Sequence, residues 1–475
     1  MTGTPTSGGT PSDPDRTRRT GVPDPPEAPR VAFYGDDVTG STDALAQFHR
    51  AGLRGVLHFG RDAAAAAAGR SGHDVVGVAG VARSLPTERM ADEIRPALEA
   101  LRQTGAGFVQ YKMCSTADSS PVRGSLGRAA EAGREVFGAV PVPLLAAQPE
   151  FGRYTAFGHH FARDDDGRVH RLDRQPTMSR HPVTPMGESD LVLHLTGQTA
   201  LPVASFDLTA YELPFHRARR RYDATTGDGP GIVVLDALTC EHARYAARLA
   251  LTGGPSPLFA LGSGGLSLAV GQLLNGTGTT EPYGAPGPGR VIVVSGSRAA
   301  RTTAQIRRAT EHGWATVPIP VDPSDGCDTS PAALAGLRDA VLRSLATDAP
   351  GVVVHALPAG HRDEPGTDPR DTLGDSLAHA VRTAVADGGV RRVVVVGGDT
   401  AGRVTDRLGA RAAEIDTLLS PGAAMCRLTC DDPHVDGVSL LLKGGQAGPV
   451  DIFDRVAGRT GAIDLTTDPR GEPGT

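Results

Sequence analysis

Two adjacent carboxylates, Asp36 and Asp37, close the apolar run VAFYG and precede Thr39-Gly40-Ser41-Thr42, where a first helix should begin. The carboxyl edge of a parallel strand is where open α/β sheets bind ligands. One of these acids can take a proton from a substrate hydroxyl while the other holds sugar hydroxyls or caps the helix. Asp37 is the better base, and a bare capping role accounts equally well for Asp36. A second polar strand end carries Lys112, Ser115, Thr116, Asp118, Ser119, Ser120 and Arg123. Further on, Arg153, Arg171, Asp173 and Arg174 lie in a stretch rich in Arg, His and Pro. Arginine grips carboxylates bidentately, so these positions point to an acidic substrate.

Beyond residue 290, three apolar runs end in turns of small residues: Ser295-Gly296-Ser297, Gly397-Gly398-Asp399-Thr400 and Lys443-Gly444-Gly445-Gln446. Backbone N–H groups at such turns, backed by helix N-termini, make anion sites, and glycine leaves room for a phosphate oxygen. Any one of them reads as an ordinary strand-to-helix turn. Three together with a lysine read as a nucleotide site. Neither a Walker A sequence nor a strand-anchored G-x-G-x-x-G is present, so the P-loop and Rossmann modes are not supported. Of the 48 Lys and Arg residues only Lys112 and Lys443 are lysine. Where Arg is the default cation, a retained Lys marks a tight pocket that a planar guanidinium fills badly.

These residues need a framework of strands and helices. Short apolar runs alternate with helical patterns, such as Ala44, Leu45, Phe48 and Ala51 on one face, and Met90, Ile94, Leu98 and Leu101 on another. Near-continuous apolar strands separated by helices predict an α/β fold of two domains, each with a mainly parallel sheet, and a cleft between them. The expected boundaries are a disordered tail over 1–29, a first domain over 30–274, a linker over 275–289, a second domain over 290–460 and a tail over 461–475. Residues 148–209 read as ordered excursion loops, with DDDG as a hairpin tip. His159, His160, His170 and His181 in that stretch lack a tight metal-binding spacing and read as loop packing or substrate contacts.

With 475 residues and a formal net charge of −6, the chain has no general pull toward nucleic acid or anionic membrane, so small anions must be held by local sites. No apolar run reaches membrane-span length. Five scattered cysteines fit a reducing cytoplasm better than a disulfide framework.

Taken together, YGDDVTGSTDAL, YKMCSTADSSPVRGSLGRA, RLDRQPTMSRHPVTPM, VVSGS, VVVGGDTAG, SPGAA and LLKGGQAG resemble the four-carbon acid sugar kinase family, in its order, from about Val31 to Arg455. The resemblance implies a sugar-acid-binding first domain, an ATP-binding second domain and phosphoryl transfer between them. It implies ATP contacts at Ser295 or Ser297, at Gly397, Gly398, Asp399 and Thr400, and at Gly444 or Gly445. Sugar-acid contacts are implied around Asp36, Asp37, Lys112, Ser115 and the Arg-rich loop. Arg298, Gln175 and Ala401 depart from the family pattern.

The reaction expected is ATP- and Mg²⁺-dependent phosphorylation of a hydroxyl on threonate, erythronate or 3-oxo-tetronate, with a branched acid like 3-oxo-isoapionate as the alternative. Asp37 would orient and deprotonate that hydroxyl, and Lys443 with the small-residue turns would hold the polyphosphate. The metal ligands are not assigned, and a homodimer is left open. A non-catalytic sensor of nucleotide and sugar acid, or a histidine-based metallohydrolase, are readings from other classes. Retention of Asp36, Asp37 and Lys443 speaks against the sensor.

Overall fold

The computed structural model describes residues 28–69, 72–164, 166–181, 183–227, 231–276, 282–321, 326–356 and 369–460. The expected tails, apart from Ala28 and Pro29, and the middle of the expected linker lie outside the described residues.

The first half contributes strands β1 (Val31–Gly35), β2 (Gly55–His58), β3 (Val75–Ala79), β4 (Phe108–Lys112), β5 (Val142–Leu145), β6 (Arg153–Ala156), β7 (His159–Arg163), β8 (Val169–Arg171), β9 (Val203–Phe206), β10 (Ile232–Leu235) and β11 (Leu258–Gly262). The second adds β12 (Val291–Ser295), β13 (Ala315–Ile319), β14 (Gly351–Ala356), β15 (Arg392–Val396), β16 (Ala410–Ser420), β17 (Ala423–Cys430) and β18 (Ser439–Lys443). The expected α/β class holds, and the sheet is mostly parallel. One feature goes beyond that expectation, because fifteen strands form a single sheet ordered β13-β14-β12-β15-β18-β17-β16-β2-β3-β1-β4-β11-β5-β10-β9. Its join is the antiparallel pair β16 and β17, which runs antiparallel to β18 on one side and to β2 on the other.

β1, β4, β5, β10, β11 and β12 are buried from end to end, as their apolar runs demand, with helices covering both faces. Ala44, Leu45 and Phe48 are buried on the helix Val38–Arg50 and Ala51 at its C-cap, and Met90, Ile94, Leu98 and Leu101 are buried on Thr87–Gln103, which continues through Pro96. One apolar cluster runs beneath both halves, from Phe33, Leu45 and Phe48 to Ile292, Val395 and Leu440. Burying each large aliphatic or aromatic side chain contributes about 1.5–3 kcal/mol.

Strand order also locates the crevices. β1 lies between β3 and β4, and β12 between β14 and β15, so each half has a point where successive crossovers depart in opposite directions. Ligands bind at such points, outside the carboxyl ends of the strands. The excursion after β5 is itself a three-stranded sheet, β6-β7-β8. Its predicted hairpin tip closes through the Asp164 N–H, which donates to the Arg168 carbonyl at 2.8 Å. Buried Asp236, just past β10, accepts from the Phe157 and Gly158 N–H groups at 2.5 and 3.0 Å and pins the other turn to the main sheet.

Candidate active site

At the tip of β1, Asp37 takes an extended conformation and caps the helix Val38–Arg50. Its Oδ1 accepts from the Gly40 N–H at 2.7 Å and its Oδ2 from the Thr39 hydroxyl at 2.8 Å. A cap of this kind is worth about 1 kcal/mol. The capping role weighed for Asp36 therefore falls to Asp37. Asp36 is buried and faces a cation that sequence reasoning missed, Arg83, just beyond β3. That guanidinium donates to both Asp36 oxygens, at 2.6 and 3.2 Å, and to Asp37 Oδ2 at 2.9 Å. Lys112, at the end of neighbouring β4, is also buried; its Nζ donates to the Met113 carbonyl at 3.0 Å and lies 3.6 Å from Asp43 Oδ2.

The charges set the two carboxyls apart. Burial pushes Asp37 up, but Arg83, then Lys112, the Thr39 hydroxyl and the Gly40 N–H outweigh it and hold its pKa below the usual value. Burial dominates for Asp36 and, with the charge of Asp37, leaves it raised against the pull of Arg83. Asp37 is thus an ionised acceptor at neutral pH, with lone-pair capacity left on Oδ1.

In the second half, β12, β15 and β18 lie side by side, with Ser295, Val396 and Lys443 in register. Their three turns therefore leave one edge together. Gly296 and Ser297, Gly397 to Thr400, and Gly445 line a cleft of about 250 Å³, with Leu373, Gly374 and Arg403 completing the wall. Gly397, at φ +116°, starts the helix Gly398–Leu408. The first turn of a helix leaves its N–H groups without intrahelical partners, so this wall is suited to an anion.

Glycine serves another purpose here too. A Cβ on Gly296 would lie 2.4 Å from Thr400 Oγ1, and one on Gly445 would lie 2.3 Å from Ser297 Oγ, whereas a Cβ on Gly444 meets nothing within 4 Å. Turn against turn, not only turn against ligand, excludes side chains at Gly296 and Gly445. Thr302 ties two of the turns by donating to the Gly445 carbonyl at 2.7 Å. Lys443 does not line this cleft. It is 0% exposed, and its Nζ has no hydrogen-bond partner among the described residues.

The two sites abut. A Cβ on Gly398 would stand 3.6 Å from Asp37 Oδ2 and 4.0 Å from Thr39 Oγ1, and one on Gly402 would stand 3.7 Å from Val38 Cγ2. The first helix thus packs against the helix that the Gly397-Gly398 turn starts.

The expected sugar-acid residues of the excursion are placed differently. Arg153 donates to its own loop, to the Phe151 carbonyl at 2.6 Å. Arg171 and Arg174, 49% and 78% exposed, both engage Asp173. None of the three is brought against Asp36 and Asp37 by these contacts. Ser115 follows the end of β4, and its carbonyl accepts from His160 Nε2 at 2.8 Å while the Thr155 hydroxyl lies 2.9 Å from Nδ1. Because a carbonyl only accepts, Nε2 carries the proton, and burial brings the His160 pKa down to about 4. The remaining histidines are likewise engaged locally: His159 with Ser189, His170 with Asp164 and His181 with Thr184. No group of three or more His, Cys, Asp or Glu able to hold a metal occurs among the described residues.

A carboxylate strand tip that abuts a glycine-turn cleft is the arrangement this chain presents, and comparison with known proteins gives its class. A family model described as a sugar-binding N-terminal domain matches residues 31–270, and one described as a nucleotide-binding C-terminal domain matches 292–453. The chain belongs to the four-carbon acid sugar kinase family. It is 35% identical over 449 residues to a 3-oxo-isoapionate kinase of Paraburkholderia graminis, covering 90% of this chain and 93% of that one. It is 31% identical over 433 residues to a 3-oxo-tetronate kinase of Methylobacterium radiotolerans, covering 88% and 96%. A crystal structure from Haemophilus influenzae shares the fold with a TM-score of 0.66 at 21% identity, covering 90% of this chain and 99% of that one.

Proposed function

We propose that this chain transfers the terminal phosphoryl group of ATP to a hydroxyl of a four-carbon 3-oxo sugar acid, in the presence of Mg²⁺. The observation that carries the reading is the placement of Asp37 Oδ2 within van der Waals reach of the Gly398 position, at the start of the nucleotide turn. A hydroxyl held on Asp37 would point at a phosphate seated over that helix N-terminus. Phosphoryl transfer depends mainly on positioning and charge neutralisation.

In this reading Asp37 orients the acceptor hydroxyl and takes its proton, while Arg83 and Lys112 keep the carboxylate ionised and fixed. The turns at Ser297, Gly398 and Gly445 hold the phosphates by backbone N–H groups. Mg²⁺ is typically bound by one or two carboxylates together with substrate phosphates, and Asp399 in the cleft wall is a carboxylate of that kind. When bound, the ion supplies charge neutralisation on the phosphates.

A second reading, in which the acceptor is a branched acid like 3-oxo-isoapionate, is favoured by the 35% identity to the Paraburkholderia graminis kinase. A coupled assay of ADP formation over 3-oxo-tetronate, 3-oxo-isoapionate, threonate and erythronate separates the two. The proposal expects turnover with a 3-oxo acid, and the second reading expects the branched acid to be preferred. Failure to form ADP with every acid in the panel would overturn both.

A further inference from the structure

Lys443 ends β18, two residues before the cleft-lining Gly445, yet its side chain turns away from the cleft. It follows Leu441 on the face covered by Ile452 and Phe453, opposite the face that carries Leu440 and Leu442. Its Cε lies 3.7 Å from where a Cβ on Gly448 would be, beneath the loop that Gln305 straps down through the carbonyls of Ala447, Gly448 and Pro449. A cation there has no partner. Leaving an ammonium buried and unpaired costs several kcal/mol, so a group that can lose its proton does so.

Among the described residues no carboxylate of the packed elements pairs with it. The helix Ala300–Glu311 presents Arg301, a like charge, and Arg308. Asp454 of the helix Ile452–Val456 is engaged by Trp314 at 2.9 Å, His312 at 3.0 Å and Arg308 at 3.7 Å. Asp451 pairs with Arg455 at 2.8 Å. Asp399 and Arg403 belong to the helix over the opposite face. Burial, and after it Arg301, brings the Lys443 pKa down to about 7. Arginine stays charged at any such site, which gives a reason for a lysine in a chain that otherwise uses arginine.

We propose that at pH 8 Lys443 is neutral while the cleft is empty and takes up a proton when a polyphosphate occupies it, so that nucleotide binding is coupled to proton uptake. The inference rests on the nucleotide reading of the cleft. Phosphate oxygens seated over Gly445, two residues along the chain from Lys443, supply through the low-dielectric interior the negative charge that the protein withholds. The ammonium formed then offsets part of the polyphosphate charge.

The test is calorimetric titration of ADP into the full chain at pH 8, in buffers of different ionisation enthalpy. Nucleotide phosphates are already ionised at that pH, so uptake reports on the protein. The wild type should take up close to one proton per ADP at pH 8 and markedly less at pH 6, where Lys443 is already protonated. Lys443→Met, which fills similar space without an amine, should bind ADP on the order of tenfold more weakly and without that uptake. Proton uptake that is unchanged in Lys443→Met, or absent from the wild type despite ADP binding, overturns the inference. Failure of ADP to bind the wild type at all would instead overturn the nucleotide reading. Should the variant not fold, the presence or absence of uptake by the wild type at pH 8, where the nucleotide phosphates are already ionised, still decides.

Discussion

The two halves of the site handle charge in opposite ways. At the β1 tip every ionic group is already matched: Asp36 and Asp37 by Arg83, and Lys112 by Asp43 and a carbonyl. At the β12, β15 and β18 edge the cleft is walled mainly by backbone turns, and the nearest lysine is buried without a partner. Two carboxylates fixed by a shared guanidinium can orient a hydroxyl without reorganising. The cleft wall carries Asp399 and Arg403 as its charged side chains, and under the proposed function a nucleotide brings the rest. The contrast extends to the two lysines, one a fixed member of a network and the other held in reserve.

The contrast can be broken most severely at Arg83. Arg83→Gln removes the guanidinium that bonds both carboxylates, leaving buried Asp36 and half-buried Asp37 with Lys112 as the remaining nearby cation. The expected loss in kcat/KM is on the order of a hundredfold or more. Because Arg83 is one of the groups that lower the Asp37 pKa, the acid limb of the pH–rate profile should also move to higher pH. An unmoved limb would show that Arg83 is only structural.

Next come the lysines. Lys112→Met strips Asp43 of its cation, leaving it the Gln47 and Gln148 amides, and should destabilise the fold by ~3 kcal/mol in denaturant titration. Lys443→Met removes a buried unpaired amine and should stabilise it below pH 7. The sign follows from linkage: the Lys443 pKa is about 7 when folded against 10.5 ordinarily, so the unfolded chain binds more protons between those values. Wild-type stability should therefore rise relative to Lys443→Met as pH climbs from 7 to 10.5, and the advantage of the variant should fade. Equal effects of the two substitutions would erase the distinction.

The smallest effects sharpen the cleft itself. Gly445→Ala forces a methyl into Ser297 Oγ and should cost about 1–3 kcal/mol together with a raised KM for ATP. Gly444→Ala meets open space, and its melting temperature should stay within about 1 °C of wild type.

Much of this was legible in the sequence because its signals are local. Apolar runs mark the parallel strands, and the rule that ligands gather at strand ends singles out Asp36, Asp37 and the three glycine turns. What was not legible depends on distant pairing. The hairpin of β16 and β17 joins the halves into one sheet by pairing Ala413 with Leu57, a contact that no local pattern announces. Arg83 sits in an ordinary-looking VARSLP segment, and its importance comes only from β3 lying beside β1. Treating every strand end in the first half as a contributor would have found it. Arg171 and Arg174 show the reverse, since their type suggested a carboxylate ligand and the carboxylate they meet is Asp173 of the same loop.

The most direct test of the central claim, that Asp37 and the glycine-turn cleft form one phosphotransfer site, is Asp37→Asn measured for both turnover and ADP affinity. Asparagine keeps the helix cap, so the fold should survive. ADP release with a 3-oxo sugar acid should fall by ~10³-fold while ADP binding stays within about threefold of wild type. Turnover at the wild-type rate would contradict the account.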